Sequence, residues 1–196
     1  MNLYAVGKTL VKTALSPLYR FQVEGIEKFP ETGGILLCSN HIHALDPPVV
    51  GMTAPRTVHF MAKEELFKAP ILGSILPKVN AFPVKRGMSD REALRTALKL
   101  LKSGEVVGLF PEGTRSTDGV LKKGLSGAGF FALRGNADVM PCALIGPYKP
   151  FGKVKVVYGD PIRMEPFRER KASAEEVTQA IMASIQKILD ENSENK

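Results

Sequence analysis

Residues 35–48 carry the feature that most narrows the fold: a continuous apolar run, Ile35-Leu36-Leu37-Cys38, passes within two residues into Asn40-His41-Ile42-His43-Ala44-Leu45-Asp46, which Pro47 and Pro48 then close. An apolar run of strand length without alternation belongs to a strand covered on both faces, as in sheets packed between helices. Val106–Phe110 repeats the pattern, and Val139–Gly146 and Lys153–Asp160 read as further strands. Phe21–Gly25, Thr57–Ala62 and Val79–Val84 supply three more.

Helical periods fall between these runs. Ser89 with Glu92 forms a capping box ahead of Leu94, Leu98 and Leu101, and Ser173 with Glu176 opens a helix through Val177, Ile181, Ile185, Ile188 and Leu189. Small residues on one side of the helix expected over 124–135 allow close packing against a sheet or a bound ligand. Strands alternating with helices indicate an α/β fold: a mixed, largely parallel sheet flanked by helices.

In the first twenty residues Leu3, Tyr4, Val6, Leu10, Val11, Ala14, Leu15 and Leu18 recur at helical spacing, with Lys8 and Lys12 on the other side. This segment, 1–20, is expected to be an amphipathic helix kinked or frayed near Pro17. It suits either docking on its own domain or an anionic lipid interface. The remaining residues, 21–196, read as one domain.

The chain of 196 residues holds 27 Lys and Arg against 20 Asp and Glu, a formal charge of +7, which favours anionic partners without choosing among them. Aromatic residues are not interleaved with the basic positions and no recognition helix is evident, so nucleic acid is not expected. No apolar run approaches the ~18 residues that span a bilayer, and no signal-peptide pattern is seen, so the expected compartment is cytoplasmic. Cys38 and Cys142, each inside an apolar run, are expected to be buried, reduced thiols.

The polar segment after Cys38 sits at a strand end, where α/β proteins place their sites. On a helix His41 and Asp46, five residues apart, point away from each other; Pro47 makes Asp46 a helix N-cap candidate, preceded by a tight turn that folds it back toward the His41 ring. An aspartate on one imidazole nitrogen leaves the other free to accept a proton and stabilises the imidazolium that forms. His41 is thereby a general-base candidate; the competing account makes Asp46 a simple cap and His41 a turn residue. No GxSxG elbow supports Ser39 or Cys38 as a nucleophile, which leaves direct deprotonation of a substrate hydroxyl. His43 raises a metal reading, but His59, the third histidine, lies in a strand run and no metal site is expected.

Two further strand ends deliver cations. Phe82–Gly87 (FPVKRG) ends in Lys85, Arg86 and Gly87; Phe110–Ser116 (FPEGTRS) carries Glu112, Gly113, Thr114 and Arg115, with Lys122 just beyond. Guanidinium groups beside glycine and hydroxyl groups make a phosphate cradle, and neither segment is a Walker or dinucleotide motif. A salt bridge from Glu112 to Arg115 or another arginine is the role expected of that carboxylate.

Together NHxxxxDP at 40–47, FPVKRG at 82–87, FPEGTRS at 110–116 and MPCALIG at 140–146 resemble, in order and spacing, the four blocks of the glycerolipid acyltransferase family, especially its bacterial 1-acylglycerol-3-phosphate acyltransferases. The resemblance implies that 21–196 is an acyltransferase domain in which His41 takes the acceptor hydroxyl proton and Asp46 orients and polarises it. Arg86, Glu112, Gly113, Thr114 and Arg115 are then acceptor-binding, with Asn40, Lys122 and Pro141 in support. It also implies an acyl carrier protein or coenzyme A thioester as donor, no other cofactor, lysophosphatidic acid as acceptor and phosphatidic acid as product. The setting implied is the cytoplasmic face of a membrane, reached by the N-terminal helix; bacterial members carry two such helices, and this chain shows one. Glycerol-3-phosphate or another lysolipid as acceptor, and a non-catalytic phospholipid-binding protein, stand as alternatives.

Overall fold

The computed structural model describes residues 3–85, 90–116 and 118–193. Seven strands, β1 (Arg20–Glu24), β2 (Ile35–Ser39), β3 (Val58–Lys63), β4 (Phe82–Val84), β5 (Val106–Leu109), β6 (Asp138–Ile145) and β7 (Lys153–Tyr158), form one sheet in the order β1-β7-β6-β2-β5-β3-β4. All neighbours run parallel except β6 and β7. The mixed, largely parallel α/β sheet expected from the apolar runs is therefore present. Strands β2, β3, β4, β5 and β6 share a direction, so their C-terminal ends lie along one edge.

Alternation along β2 shows why its run is unbroken. Ile35 and Leu37 pack on one face with Val49, Val50, Met140 and Tyr158, whereas Leu36 and Cys38 pack on the other with Ala97, Leu101, Phe131, Ile181 and Ile185. The first face is covered by α1 (Leu3–Leu15) and α2 (Asp46–Thr53); the second by α5 (Arg91–Lys102), α6 (Gly127–Arg134) and α8 (Ala174–Ser193). Two one-turn helices, α3 (Glu64–Phe67) and α4 (Leu72–Ile75), and a 3-10 turn at Leu76–Val79 fill the connection from β3 to β4.

Capping of α8 matches expectation, since the Ser173 hydroxyl accepts from Glu176 N at 3.1 Å. For α5 the cap is Asp90, whose carboxylate accepts from Glu92 N and Ala93 N at 3.1 and 3.0 Å. Ser89 lies outside the described residues, and an aspartate immediately before the first helical residue takes the amides assigned to it. The small residues of α6 face α8, where a Cβ on Gly129 would lie 1.9 Å from the Ala174 carbonyl oxygen. Residues Glu165–Glu169 add a short helix, α7, that the sequence pattern had not suggested.

Helix α1 stops at Leu15, two residues before Pro17, and lies on α2. Tyr4 donates to the Gly51 carbonyl at 3.3 Å and accepts from Val58 N at 3.0 Å, and Val11 and Leu15 join the core beneath. Lys8, assigned to the polar side, instead turns inward to donate to the Ala54 carbonyl, while Leu10 is 64% exposed. No helix among the described residues is long and apolar enough to cross a membrane.

Candidate active site

The segment leaving β2 turns sharply, and Asp46, at the first position of α2, is fully buried at the inner wall of that turn. Its Oδ2 accepts three hydrogen bonds: from Ile42 N at 2.6 Å, from His43 N at 2.7 Å and from His41 Nδ1 at 2.7 Å. Convergence of three donors on one oxygen suits a carboxylate anion. Because that oxygen accepts, Nδ1 of His41 carries the proton and Nε2 the lone pair. The His41 side chain is 12% exposed, enough for one ring edge to meet a substrate.

Here the N-cap expectation is corrected. Leu45 precedes the helix, and the Asp46 side chain caps nothing in α2. Val49 N, the amide that a cap at Asp46 would use, donates instead to the Leu45 carbonyl at 2.9 Å, and the carboxylate takes the two amides behind it. The earlier helix start thus turns a potential cap into the partner of His41.

A second buried carboxylate closes the loop from the other side. Glu112, 5% exposed, accepts from His41 N at 2.8 Å through Oε1 and from Lys122 N at 2.9 Å through Oε2. Among the described residues no arginine pairs with Glu112, and two main-chain amides satisfy both oxygens without bringing a second charge into the interior. Ser116 N donates to the His41 carbonyl at 2.7 Å, so the β5 loop grips both polar groups of the His41 backbone. Gly113 makes the reversal possible: it adopts φ +68°, and its N–H closes a turn onto the Phe110 carbonyl at 3.0 Å.

Aromatic rings set the position of both histidines. Phe110 stacks on His41 at 4.2 Å between centroids and 23° between planes, and Tyr148 stacks on His43 at 4.4 Å and 20°. Behind Phe110 lies Phe60, whose ring occupies the space a side chain at Gly108 would fill, with 2.3 Å to an ideal Cβ. His43 Nδ1 accepts from Leu45 N at 3.2 Å. Among the described residues no three His, Cys, Asp or Glu side chains are gathered as a metal set. In the sequence Phe110 reads only as the end of a strand, although it opens the FPEGTRS block; Tyr148 carries no sequence signal beyond its position just after β6.

The supporting residues occupy the same sheet edge. Asn40 is locked to β6 by a pair of bonds, Leu144 N to Oδ1 at 2.7 Å and Nδ2 to the Leu144 carbonyl at 2.9 Å. Pro141 pairs with Cys38 between β6 and β2, and its carbonyl accepts from Gly159 N at 2.9 Å. Lys122 Nζ donates to the Arg115 carbonyl at 2.8 Å. Thr114 and Arg115 themselves are exposed at the rim, and Arg86 lies outside the described residues.

No nucleophile approaches His41 from the strand. Ser39 is buried and donates to the Asn40 carbonyl at 3.1 Å. Cys38 faces the opposite core, where burial pushes its thiol well above the usual range, while burial on the near side pushes Cys142 up to about 12. Both cysteines are free. Two surface clefts, of about 530 Å³ beside Leu125 and Met182 and about 430 Å³ between Tyr19 and Met52, are lined by neither His41 nor Asp46.

Comparison with known proteins adds to this geometry. Residues 20–145 match the acyltransferase family, a span that contains His41, Asp46, Glu112 and Pro141. The chain is 33% identical to the 1-acyl-sn-glycerol-3-phosphate acyltransferase of Bacillus subtilis (strain 168), over 96% of this chain and 100% of that protein. It is 30% identical to the chloroplastic 1-acyl-sn-glycerol-3-phosphate acyltransferase LPAT1 of Arabidopsis thaliana over 80% of this chain, and that match spans 48% of the plant protein. The crystal structure of the 1-acyl-sn-glycerophosphate acyltransferase PlsC from Thermotoga maritima superposes with a TM-score of 0.80 and 26% identity, over 96% of this chain and 79% of that one.

The two-amide role of Glu112 makes a prediction. Glu112→Gln keeps one acceptor but turns an NH2 group toward the other main-chain N–H, leaving a buried donor unpaired. Thermal denaturation is expected to show a loss of about 2 kcal/mol. A variant as stable as the parent would show that the His41 backbone is held in another way.

Proposed function

The chain belongs to the acyltransferase family, and on that premise we propose that it transfers a fatty acyl group from an acyl carrier protein or coenzyme A thioester to the sn-2 hydroxyl of 1-acyl-glycerol-3-phosphate, giving phosphatidic acid. The observation that carries the mechanism is the 2.7 Å contact from His41 Nδ1 to the buried Asp46 carboxylate, which turns the Nε2 lone pair outward. Nε2 takes the proton of the acceptor hydroxyl as its oxygen attacks the thioester carbonyl. The C–S bond then breaks, and the imidazolium returns the proton to the departing thiolate. An acyl thioester is already activated, so the reading calls for no covalent enzyme intermediate and no further cofactor. Alanine at His41 is expected to lower turnover by a factor of about 10² to 10⁴ in an assay pairing both donors with 1-acyl-glycerol-3-phosphate, glycerol-3-phosphate and other lysolipids. Products identified by mass test the acceptor; a fully active H41A protein would eliminate the base assignment, and preference for glycerol-3-phosphate would move the acceptor.

We assign the acceptor phosphate to the basic rim formed by Arg115, with Arg86 from the β4 end as its expected partner. Guanidinium groups bind phosphate with two parallel donors, and the exposed position of Arg115 leaves its side chain available. Arg115→Ala is expected to raise the KM for the phosphate-bearing acceptor about tenfold while kcat changes little. An unchanged KM would remove Arg115 from the binding site.

The enzyme is proposed to work at the cytoplasmic face of a membrane as a peripheral protein, where the acylated acceptor resides and soluble thioesters arrive. Leu66, Ile71, Leu72 and Ile75 are exposed on the α3–α4 connection, Ile71 at 77%, beside Lys63, Lys68 and Lys78. The adjoining α1, packed on this connection through Gly7 and Val79, exposes Leu10. These apolar side chains suit a lipid interface, with Lys78 adding a cation and Lys63 and Lys68 lying within ion-pair distance of Glu65 and Glu64. Glutamate at both Ile71 and Ile75 is expected to weaken sedimentation with phosphatidylglycerol-containing vesicles at least about tenfold. Undiminished binding would locate the lipid contact elsewhere.

A further inference from the structure

Asp46 buries two carboxylate oxygens but uses one. Its Oδ2 takes all three donors, whereas Oδ1 has no hydrogen-bond partner among the described residues, and the same is true of the buried hydroxyl of Tyr148. The two side chains are neighbours: the Tyr148 ring stacks on His43, whose N–H donates to Asp46, and burial together with the Asp46 charge pushes the Tyr148 hydroxyl up. An unsatisfied buried donor beside an unsatisfied buried acceptor is costly, and pairing the two removes both penalties. We infer that Tyr148 is a positioning residue that donates its hydroxyl hydrogen to Asp46 Oδ1, completing the carboxylate's hydrogen bonding and setting how strongly Asp46 holds the His41 ring.

The surroundings fit a donor. Burial first, and the Asp46 charge second, push the Tyr148 hydroxyl far above the ordinary phenol range, so it keeps its proton. The ring is fixed on both sides, stacked on His43 and meeting Tyr19 edge-on at 5.6 Å and 80°. Other groups around the carboxylate do not compete for Oδ1. The Cys142 thiol of β6 feels its charge, Ser39 donates to Asn40, and Glu112 is occupied by two amides.

This inference rests on His41 being the base, and its test separates the two claims. Tyr148→Phe keeps the ring and its stacking and removes only the hydroxyl. Wild type, H41A, Y148F, D46N and the D46N/Y148F double variant are compared, with folding checked by thermal denaturation and kcat and kcat/KM followed from pH 5 to 9. With Oδ1 untethered the Asp46 carboxylate positions the His41 ring less precisely, and kcat of Y148F is expected to fall about tenfold with an unchanged acceptor KM. The acidic limb of its kcat/KM profile is expected to move up by about half a pH unit, because a carboxylate with one donor fewer holds the imidazolium more firmly. In the D46N background, where no charge is left for the hydroxyl to meet, the same change is expected to cost less than it does in wild type. An inactive H41A with a Y148F kcat and pH limb identical to wild type overturns the Tyr148 role alone; an active H41A overturns the base assignment. Multiplicative losses in the double variant overturn action through Asp46, and should D46N be too slow to measure, the pH limb of Y148F decides.

Discussion

A carboxylate with no exposed surface must find its donors inside the protein, and the path of the chain from Asn40 to Asp46 follows from that requirement. Asp46 draws Ile42 N, His43 N and His41 Nδ1 onto one oxygen, which forces the backbone into a turn instead of letting β2 run on or α2 begin earlier. An uncompensated charge at that depth costs several kcal/mol, so the turn and the ion stabilise each other. Glu112 applies the same rule from the neighbouring strand. With one carboxylate behind the ring and another beneath the backbone, His41 retains little freedom beyond the exposed edge that carries Nε2.

Such a clamp works only if β2 and β5 end at the same height. Their parallel pairing, Ile35 with Val106 through Cys38 with Leu109, brings Phe110 and Glu112 level with Asn40 and His41. Asn40 secures the other neighbour by bonding both polar groups of Leu144 on β6. Gly108 then shapes the floor: without a side chain it admits the Phe60 ring, on which Phe110 and in turn His41 are layered. The orientation of the imidazole is therefore a consequence of packing three strands deep.

The strands were legible because burial on both faces writes an unbroken apolar run, and β2, β5 and β6 appear with ends near those expected. Features decided by competition between nearby polar groups were less so. Ser89 and Asp90 both suit a helix cap, and the residue nearer the first free amides takes them. Asp46 reads as a cap, but α2 begins one residue earlier, with Val49 N bonded to the Leu45 carbonyl. Glu112 beside Arg115 suggests an ion pair, yet the turn at Gly113 carries the carboxylate inward and leaves the guanidinium at the rim. Tyr148 carries no local signal because its neighbours, Tyr19 on one side and His43 and Asp46 on the other, come from two stretches far from it in the chain.

That last convergence has its origin in the one antiparallel pairing of the sheet. Because β7 runs against β6, the connection of residues 146–152 turns back at the edge where the site lies, as a parallel neighbour with its long crossover could not. Tyr148 is thereby left above His43. Strand β1 runs parallel to β7, with Arg20 opposite Lys153, so it begins at that same edge and brings the end of α1 with it. Phe151 N donates to the Leu18 carbonyl at 2.6 Å and Arg20 N to the Gly152 carbonyl at 2.8 Å, stitching the connection to the residues that follow α1. Tyr19 reaches Tyr148 through this seam. A reversal one strand in from the border of the sheet thus brings Tyr19, from the segment that follows α1, and Tyr148 together beside the ring of His43.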